Sequence, residues 1–447
     1  MTKLFGTDGI RGEAGVFPLD PRTVFLIGRS LATKMNEKLG RAPRFVTGRD
    51  TRESGGWIEE EMHAGAASAG AACESAGIIT TPGVAFITQE FGFDLGVVIS
   101  ASHNPFYDNG IKAFLPSGQK IDEEMERAIE ADIVAAHDIE GEQARSRVNG
   151  SAEGDFRRAY LAHLTENGDF GLAGQRVAVD CAHGAASNLA PHLFSSLGAE
   201  VIAFNDRPNG RNINDDCGSL HLDKLQAKVL ETKADLGVAF DGDADRALFV
   251  DETGAIVDGD ATLWIMAKAM KAKGELRSGK VIATVMSNIG LELALKSLDV
   301  ELVRASVGDK YVLEELLRSG SEIGGEQSGH IIFPKNSLVG DGMMTALRVF
   351  KAVVESGRPF SEAVDGFKRY PQILVNVKVG EKRPFDEVEA VRKASAETER
   401  ILAGSGRLLL RYSGTENLAR VMIEGKDQEQ IEALANGLAE TIKAALA

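Results

Sequence analysis

Arg176-Val177-Ala178-Val179-Asp180 runs into Cys181-Ala182-His183-Gly184, and Leu189–Leu197 behind it reads as a helix. An apolar β-branched run, a short polar loop and a helical pattern together make the repeating unit of an α/β protein. The unit recurs on both sides of this stretch. Upstream, Arg44-Phe45-Val46-Thr47 enters Gly48-Arg49-Asp50-Thr51-Arg52, and a small-residue helical stretch spans Trp57 to Cys73. Downstream, Val281-Ile282-Ala283-Thr284-Val285 enters Met286-Ser287-Asn288-Ile289-Gly290, followed by helical Leu291-Glu292-Leu293-Ala294-Leu295. Three such units at comparable intervals predict three related α/β domains. The 49 glycines, set against only 6% aromatic residues, suit many tight strand-to-helix turns.

Boundaries follow from changes of composition. The polar, Gly/Ser/Glu-rich stretch 136–155 reads as a linker, a helix over 261–272 follows the turn Asp258-Gly259-Asp260, and Gly357-Arg358-Pro359 with Tyr370-Pro371 marks the last change of style. Beyond it, 373–379 alternates like a strand, 408–412 and 418–423 read as a strand pair, and an amphipathic helix spans 429–445. The expected division is 1–150, 151–256 and 257–368 as α/β domains of mixed sheets flanked by helices, then 369–447 as a smaller C-terminal α+β domain.

Charge and composition narrow the function. With 50 Lys+Arg against 66 Asp+Glu the formal charge is −16, which argues against nucleic-acid or anionic-membrane partners, since those need a basic field. Hydrophobic residues at 43% and charged residues at 26% describe a folded globular chain. Cys73, Cys181 and Cys217 are odd in number and far apart, so neither a disulfide framework nor a thiolate zinc site is implied. The opening Met1-Thr2-Lys3-Leu4-Phe5-Gly6 lacks the apolar core of a signal peptide, and no run approaches the roughly 20 apolar residues of a membrane span. A cytoplasmic protein is expected.

Asp241-Gly242-Asp243-Ala244-Asp245-Arg246 carries the plainest chemistry. Three carboxylates at alternate positions between strand-like runs repel one another unless a cation neutralises them, and oxygen-only ligands point to Mg²⁺ or Ca²⁺. An EF-hand competes, with Glu252 at the twelfth position, but Arg246 stands where that loop needs Gly; a solvated acidic hairpin is the plainer alternative. Val97-Val98-Ile99-Ser100-Ala101-Ser102-His103-Asn104-Pro105 ends a buried strand in a hydroxyl- and amide-rich loop, where α/β sheets bind ligands. Its alternative is a capped turn, and His103, adjacent to Ser102, is expected to point away from that hydroxyl. Arg411-Tyr412-Ser413-Gly414-Thr415-Glu416-Asn417, with Arg420, offers guanidinium, hydroxyl and amide donors for a phosphate, or a plain turn between strands. Gly6–Gly12 is a weak phosphate loop with one arginine, Arg11; Gly324–His330 combines Glu326, Ser328 and His330 in a flexible turn suited to sugar hydroxyls.

In this order, Gly6–Gly12, Ser100–Lys112, Asp241–Arg246, Gly325–His330 and Arg411–Arg420 resemble the five motifs of the α-D-phosphohexomutase family, over essentially the whole chain. Gly325-Glu326-Gln327-Ser328-Gly329-His330 is similar to the glucosamine-type members; relatives acting on glucose or mannose phosphates usually carry Met in place of Gln327. The resemblance implies the three related domains and the smaller fourth arranged around a central cleft. It implies that Ser102 becomes a phosphoserine, and that Asp241, Asp243 and Asp245, with an oxygen of phospho-Ser102, hold Mg²⁺. Glu326 and Ser328 would bind sugar hydroxyls, and Arg411, Ser413, Gly414, Thr415 and Arg420 the non-transferred phosphate. Arg11, Lys112 and His330 would surround the reacting oxygens, with Lys112 or His330 as general base, and Arg246 would bind substrate. The implied reaction interconverts glucosamine 6-phosphate and glucosamine 1-phosphate through a hexosamine 1,6-bisphosphate that also primes the enzyme, supplying UDP-N-acetylglucosamine and cell-wall synthesis. A phosphomannomutase/phosphoglucomutase activity and a metal-dependent sugar phosphatase are the alternatives; dimers occur among relatives, so a homodimer is one option and the oligomeric state stays open. Lys310 departs from the Arg of many glucosamine-type members and loses the bidentate fork. Arg11, Lys112, Arg246, Arg411 and Arg420 are expected to converge on one positive pocket.

Overall fold

Buried β-branched runs alternating with capped helices build three sheets of one topology. The computed structural model describes residues 4–6, 8–136, 149–166, 170–402, 404–413 and 417–446. The first sheet comprises β1 (Phe5–Gly6), β2 (Gly9–Glu13), β3 (Arg44–Arg49), β4 (Ala72–Ile78), β5 (Leu95–Ile99) and β6 (Asp108–Phe114), in the order β1-β2-β6-β5-β3-β4. The second holds β7 (Arg176–Asp180), β8 (Glu200–Phe204), β9 (Leu236–Phe240), β10 (Ala247–Asp251) and β11 (Ile256–Val257), in the order β11-β10-β9-β7-β8. The third, β13-β12-β14-β15, is built from β12 (Lys280–Thr284), β13 (Glu301–Ala305), β14 (Gly324–Gly325) and β15 (Ile331–Ile332).

Strands β3, β7 and β12 each pair parallel with two neighbours, and β6, β10 and β15 close antiparallel on β5, β9 and β14. The expected repeat is therefore present as repeated topology. Its consequence is positional: the turn after β5 carries Ser102, the turn after β9 carries Asp241–Asp245, and the turn after β14 carries Glu326. Strands β5 and β9 are buried along their whole length, so these turns emerge from rigid elements.

One apolar core runs from Val46 and Phe93 of the first unit through Tyr160 and Phe194 to Trp264 and Phe350 of the third. At about 1.5–3 kcal/mol per large buried side chain, that shared core locks the three units together. The C-terminal unit differs. Strands β16 (Gln372–Lys378), β17 (Gly406–Tyr412) and β18 (Leu418–Gly425) form an antiparallel sheet, β16-β18-β17, with a separate core around Val391, Val421 and Ile431. It docks on the third unit through polar contacts. Glu424, fully buried, accepts from Arg407 Nη2 at 2.8 Å and from the Ile289 N–H at 3.2 Å, at the start of helix Ile289–Ser297. Arg407 also donates to the Val285 and Ser287 carbonyls at 2.9 and 3.1 Å.

Some expectations need correction. The helix expected over Trp57–Cys73 is Gly55–Ser68 and stops short, because Cys73 belongs to β4, where it pairs with Phe45. Helix Glu123–Ala136 and helix Glu153–Glu166 occupy the ends of the expected 136–155 linker, whose residues 137–148 lie outside those described. The Gly6–Gly12 stretch is a hairpin in which Gly6 pairs with Gly9 and whose β2 adds to β6. Among the described residues no helix is long and apolar enough to cross a membrane.

Candidate active site

The Ser102 turn is held from below by one guanidinium. Arg52, just past β3, is fully buried and donates to the carbonyls of Ser102 (3.0 Å), Asn104 (2.8 Å), Asp108 (2.9 Å) and Pro105, while its Nε bonds Asp50 at 2.8 Å. Asp50 also accepts from the Ser100 hydroxyl at 2.6 Å, and Ser100 in turn receives the Ser102 N–H at 2.9 Å. Asn214 of the second unit donates to the Ser102 carbonyl at 2.8 Å. These contacts hold Ser102 at φ 52°, a left-handed conformation that costs energy for a residue with a side chain. The turn aims the Ser102 hydroxyl at Asp241, 2.5 Å away.

Asp241, Asp243 and Asp245 are all buried, and one oxygen from each lies within 4.8 Å of the others. Strands β9 and β10 flank them, which removes the EF-hand reading. Burial, then Asp245 and Asp243, push the Asp241 carboxyl well above its ordinary range. Asp243 Oδ1 and Asp245 Oδ1 are buried without a hydrogen-bond donor among the described residues. An oxygen-only, buried, mutually repelling set with spare oxygens fits a hard divalent cation.

Lys112, on β6, is buried and places its ammonium 3.1 Å from Asp243 and 3.0 Å from Asp8. Burial works against that charge, but Asp243 and Asp8 outweigh it and hold the amine above its ordinary pKa. His330 is buried, with Nδ1 3.6 Å from Asp245 and Nε2 lacking a partner among the described residues. Burial opposes its charging too, and Asp245 reverses the sign, so the pKa is raised. Arg246 lies 3.8 Å from Asp245, and Arg11 pairs with Asp8. His103 corrects an expectation. Its Nδ1 lies 3.3 Å from the Ser102 hydroxyl, because the left-handed turn at Ser102 brings the neighbouring side chain alongside. Burial, with Arg246 and Arg11, pushes its pKa down to about 4, so the ring is neutral.

Arg11, His103, Asp245, Arg246 and His330 of this set line a cavity of about 490 Å³, together with Asp8, Asp309 and Glu326 among others. That is room for a hexose phosphate. Glu326 accepts from the Gly308 N–H at 3.1 Å, and the Ser328 hydroxyl is buried without a partner among the described residues. Arg411 and Arg420 face each other across β17 and β18 but line no part of this cavity. Burial and the like charge of Arg420 lower the Arg411 pKa. Ser413 bonds Leu418 through its backbone, and Lys382, which the motif reading missed, donates to its carbonyl at 2.7 Å. Gly414 and Thr415 lie outside the described residues. Five cations therefore do not meet in a positive pocket. Arg11 and Arg246 line the cavity, with Lys112 behind them 3.7 Å from Asp245, but the lining also carries Asp8, Asp245, Asp309 and Glu326. A cation held by the triad would shift that balance. Lys310 reaches outward to Glu123 at 2.7 Å instead of into the cavity.

Four domain models of one enzyme family cover the chain in order. They are phosphoglucomutase/phosphomannomutase α/β/α domain I at 2–139, domain II at 158–254, domain III at 258–370 and the C-terminal domain at 374–441. The chain belongs to the phosphoglucomutase/phosphomannomutase family, the α-D-phosphohexomutases. It is similar to the phosphoglucosamine mutase of Solibacter usitatus, 48% identical over 440 residues and 98% of each chain, and to that of Koribacter versatilis, 48% identical over 456 residues, 100% of this chain and 98% of the relative. Solved structures share the fold. A phosphoglucomutase/phosphomannomutase family protein from Burkholderia thailandensis superposes with TM-score 0.80 at 23% identity, covering 99% of this chain and 97% of that one. The N-acetylphosphoglucosamine mutase of Aspergillus fumigatus, in complex with GlcNAc-6P and magnesium, superposes with TM-score 0.64 at 20% identity, covering 99% and 96%.

Proposed function

We propose that this chain interconverts glucosamine 6-phosphate and glucosamine 1-phosphate, the reaction of a phosphoglucosamine mutase, through a phosphoserine at Ser102. The full-length similarity to phosphoglucosamine mutases supports the substrate. The single observation that carries the mechanism is the Ser102 hydroxyl, aimed at 2.5 Å into a buried carboxylate triad at the wall of a hexose-sized cavity.

Asp241, Asp243 and Asp245, with an oxygen of phospho-Ser102, would hold Mg²⁺, which when bound neutralises charge on the transferring phosphoryl group. The 1-hydroxyl of glucosamine 6-phosphate attacks the phosphorus of phospho-Ser102. The bond from phosphorus to O1 forms as the bond to Ser102 Oγ breaks; a base takes the hydroxyl proton and Ser102 Oγ receives one. The 1,6-bisphosphate reorients in the cavity, and Ser102 Oγ then gives up its proton and takes the 6-phosphoryl group, leaving glucosamine 1-phosphate. Lys112, held as an ammonium by Asp243 and Asp8, and Arg11 steady the group in flight, and His330 receives the hydroxyl proton. Glu326 and Ser328 orient the sugar. Arg246 with Arg411, Ser413, Gly414, Thr415 and Arg420 receives the phosphate that is not transferring, which requires the C-terminal sheet to swing toward the cavity.

The test follows both isomers by phosphorus NMR with Mg²⁺ and a trace of glucosamine 1,6-bisphosphate. Ser102→Ala should reduce turnover on the order of 10³-fold or more. Near-normal turnover in that variant would refute the phosphoserine. Stoichiometric release of phosphate would mark a metal-dependent phosphatase, and a preference for glucose 1-phosphate a phosphoglucomutase.

A further inference from the structure

One ammonium group joins the two sides of the cavity. Lys120 follows β6, held where it bridges back to Phe114, and its Nζ lies 2.6 Å from Asp8 Oδ1 and 2.6 Å from Asp309 Oδ2. All three side chains are about a quarter exposed, 23% each, so the group is screened from solvent on most sides. Asp8 belongs to the β1–β2 hairpin turn of the first unit; Asp309 opens helix Asp309–Ser319 of the third. No pair among these three residues is closer than 112 positions in sequence.

Each carboxylate leads on to a residue that faces substrate. Asp8 also pairs with Arg11 and, at 3.0 Å, with Lys112, and Lys112 continues to Asp243. Beside Asp309, the Gly308 N–H donates to Glu326 at 3.1 Å. The chain Asp243–Lys112–Asp8–Lys120–Asp309 thus crosses all three α/β units. Arg11 and Lys112 also neutralise Asp8, whereas Asp309 has no second ion pair among the described residues and otherwise only the field of His330. Remove the ammonium and Asp8 and Asp309 face each other across the cavity mouth as like charges. The second tie across this seam, Lys310 to Glu123, is more exposed, so it cannot substitute.

We propose that Lys120 is a positioning residue of the proposed mutase reaction: it does not touch substrate, but sets the spacing between the Arg11/Lys112 side and the Glu326 side of the sugar site. The proposal rests on the functional reading above, and a double-mutant cycle separates the two. Wild-type turnover is read first; an inactive wild type refutes the functional reading. With an active wild type, K120M should raise KM for glucosamine 6-phosphate about tenfold or more. In a D309N background, which has no charge to repel Asp8, the same change should raise KM by no more than about threefold. A residue that only supports folding would give effects that multiply, and multiplying effects, or a KM in K120M within about twofold of wild type, overturn the proposal. K120Q carries the same cycle if K120M does not fold. Hydrogen exchange reads the bridge without turnover: the amides of 308–311 should exchange about tenfold faster in K120M, and unchanged exchange there also overturns it.

Discussion

Arg52 is the residue that turns a serine in a loop into an aimed hydroxyl. Its guanidinium is spent on backbone carbonyls of one turn, with Asp50 as counter-charge, and no smaller side chain can reach them all. Arg52→Ala leaves Asp50 buried and unpaired, so it should destabilise the chain by about 3 kcal/mol and lower kcat, checked by urea unfolding alongside the isomerisation assay. Asp341 offers a pH test away from the chemistry. It caps helix Gly342–Ser356 through the Met344 N–H at 3.0 Å and accepts from Tyr160 at 2.8 Å, and burial pushes its pKa up to about 6. A carboxyl whose folded pKa lies above its ordinary 3.8 binds more protons folded than unfolded between those values. Its contribution is therefore full below pH 4 and falls as pH rises toward 6. Asp341→Asn should remove that loss, gaining on wild type by up to about 3 kcal/mol between pH 4 and pH 7 in urea midpoints. An unchanged difference would show that Asp341 does not titrate there.

At the scale of elements, the connection from β15 to helix Gly342–Ser356 fixes the proposed proton-transfer histidine. Gly340 passes so close to the His330 ring that an added Cβ would lie 2.4 Å from Nε2 and 2.6 Å from two ring carbons. Gly340→Ala must displace the imidazole, and should cut kcat on the order of 10-fold or more while leaving the unfolding midpoint within a few degrees. Histidine resonances would report the move; an unshifted His330 with normal kcat would show that the loop yields instead. Elements were legible in the sequence where burial wrote its period into a strand next to a motif, while helices such as Pro21–Leu39 and Gly342–Ser356 passed unread. Strand β9 and the Asp triad after it could be read directly, since the chemistry sits on consecutive residues. Short β14 and β15 could not, because two-residue strands carry no periodicity and exist only by pairing.

Across the whole molecule, three α/β units share one apolar core while the C-terminal sheet keeps its own and docks through Glu424 and Arg407. That division suits a rigid reaction site and a phosphate clamp that moves. Glu424→Ala leaves Arg407 without its buried partner and should loosen the C-terminal sheet before the rest unfolds. Calorimetry should then split into two transitions, with KM for glucosamine 6-phosphate raised; a single unshifted transition would place the docking energy elsewhere. The sequence by itself determined the class of fold and the family, and it picked out the carboxylate triad and Ser102 as candidates, because these reside in local patterns and contiguous motifs. Only the tertiary structure decided that Arg52 and Asn214 hold the Ser102 turn, that Lys120 bridges Asp8 and Asp309, that His103 lies beside Ser102, and that Arg411 and Arg420 do not line the cavity. Those facts depend on contacts between distant segments, and a buried charge is placed by the partner that folding brings to it.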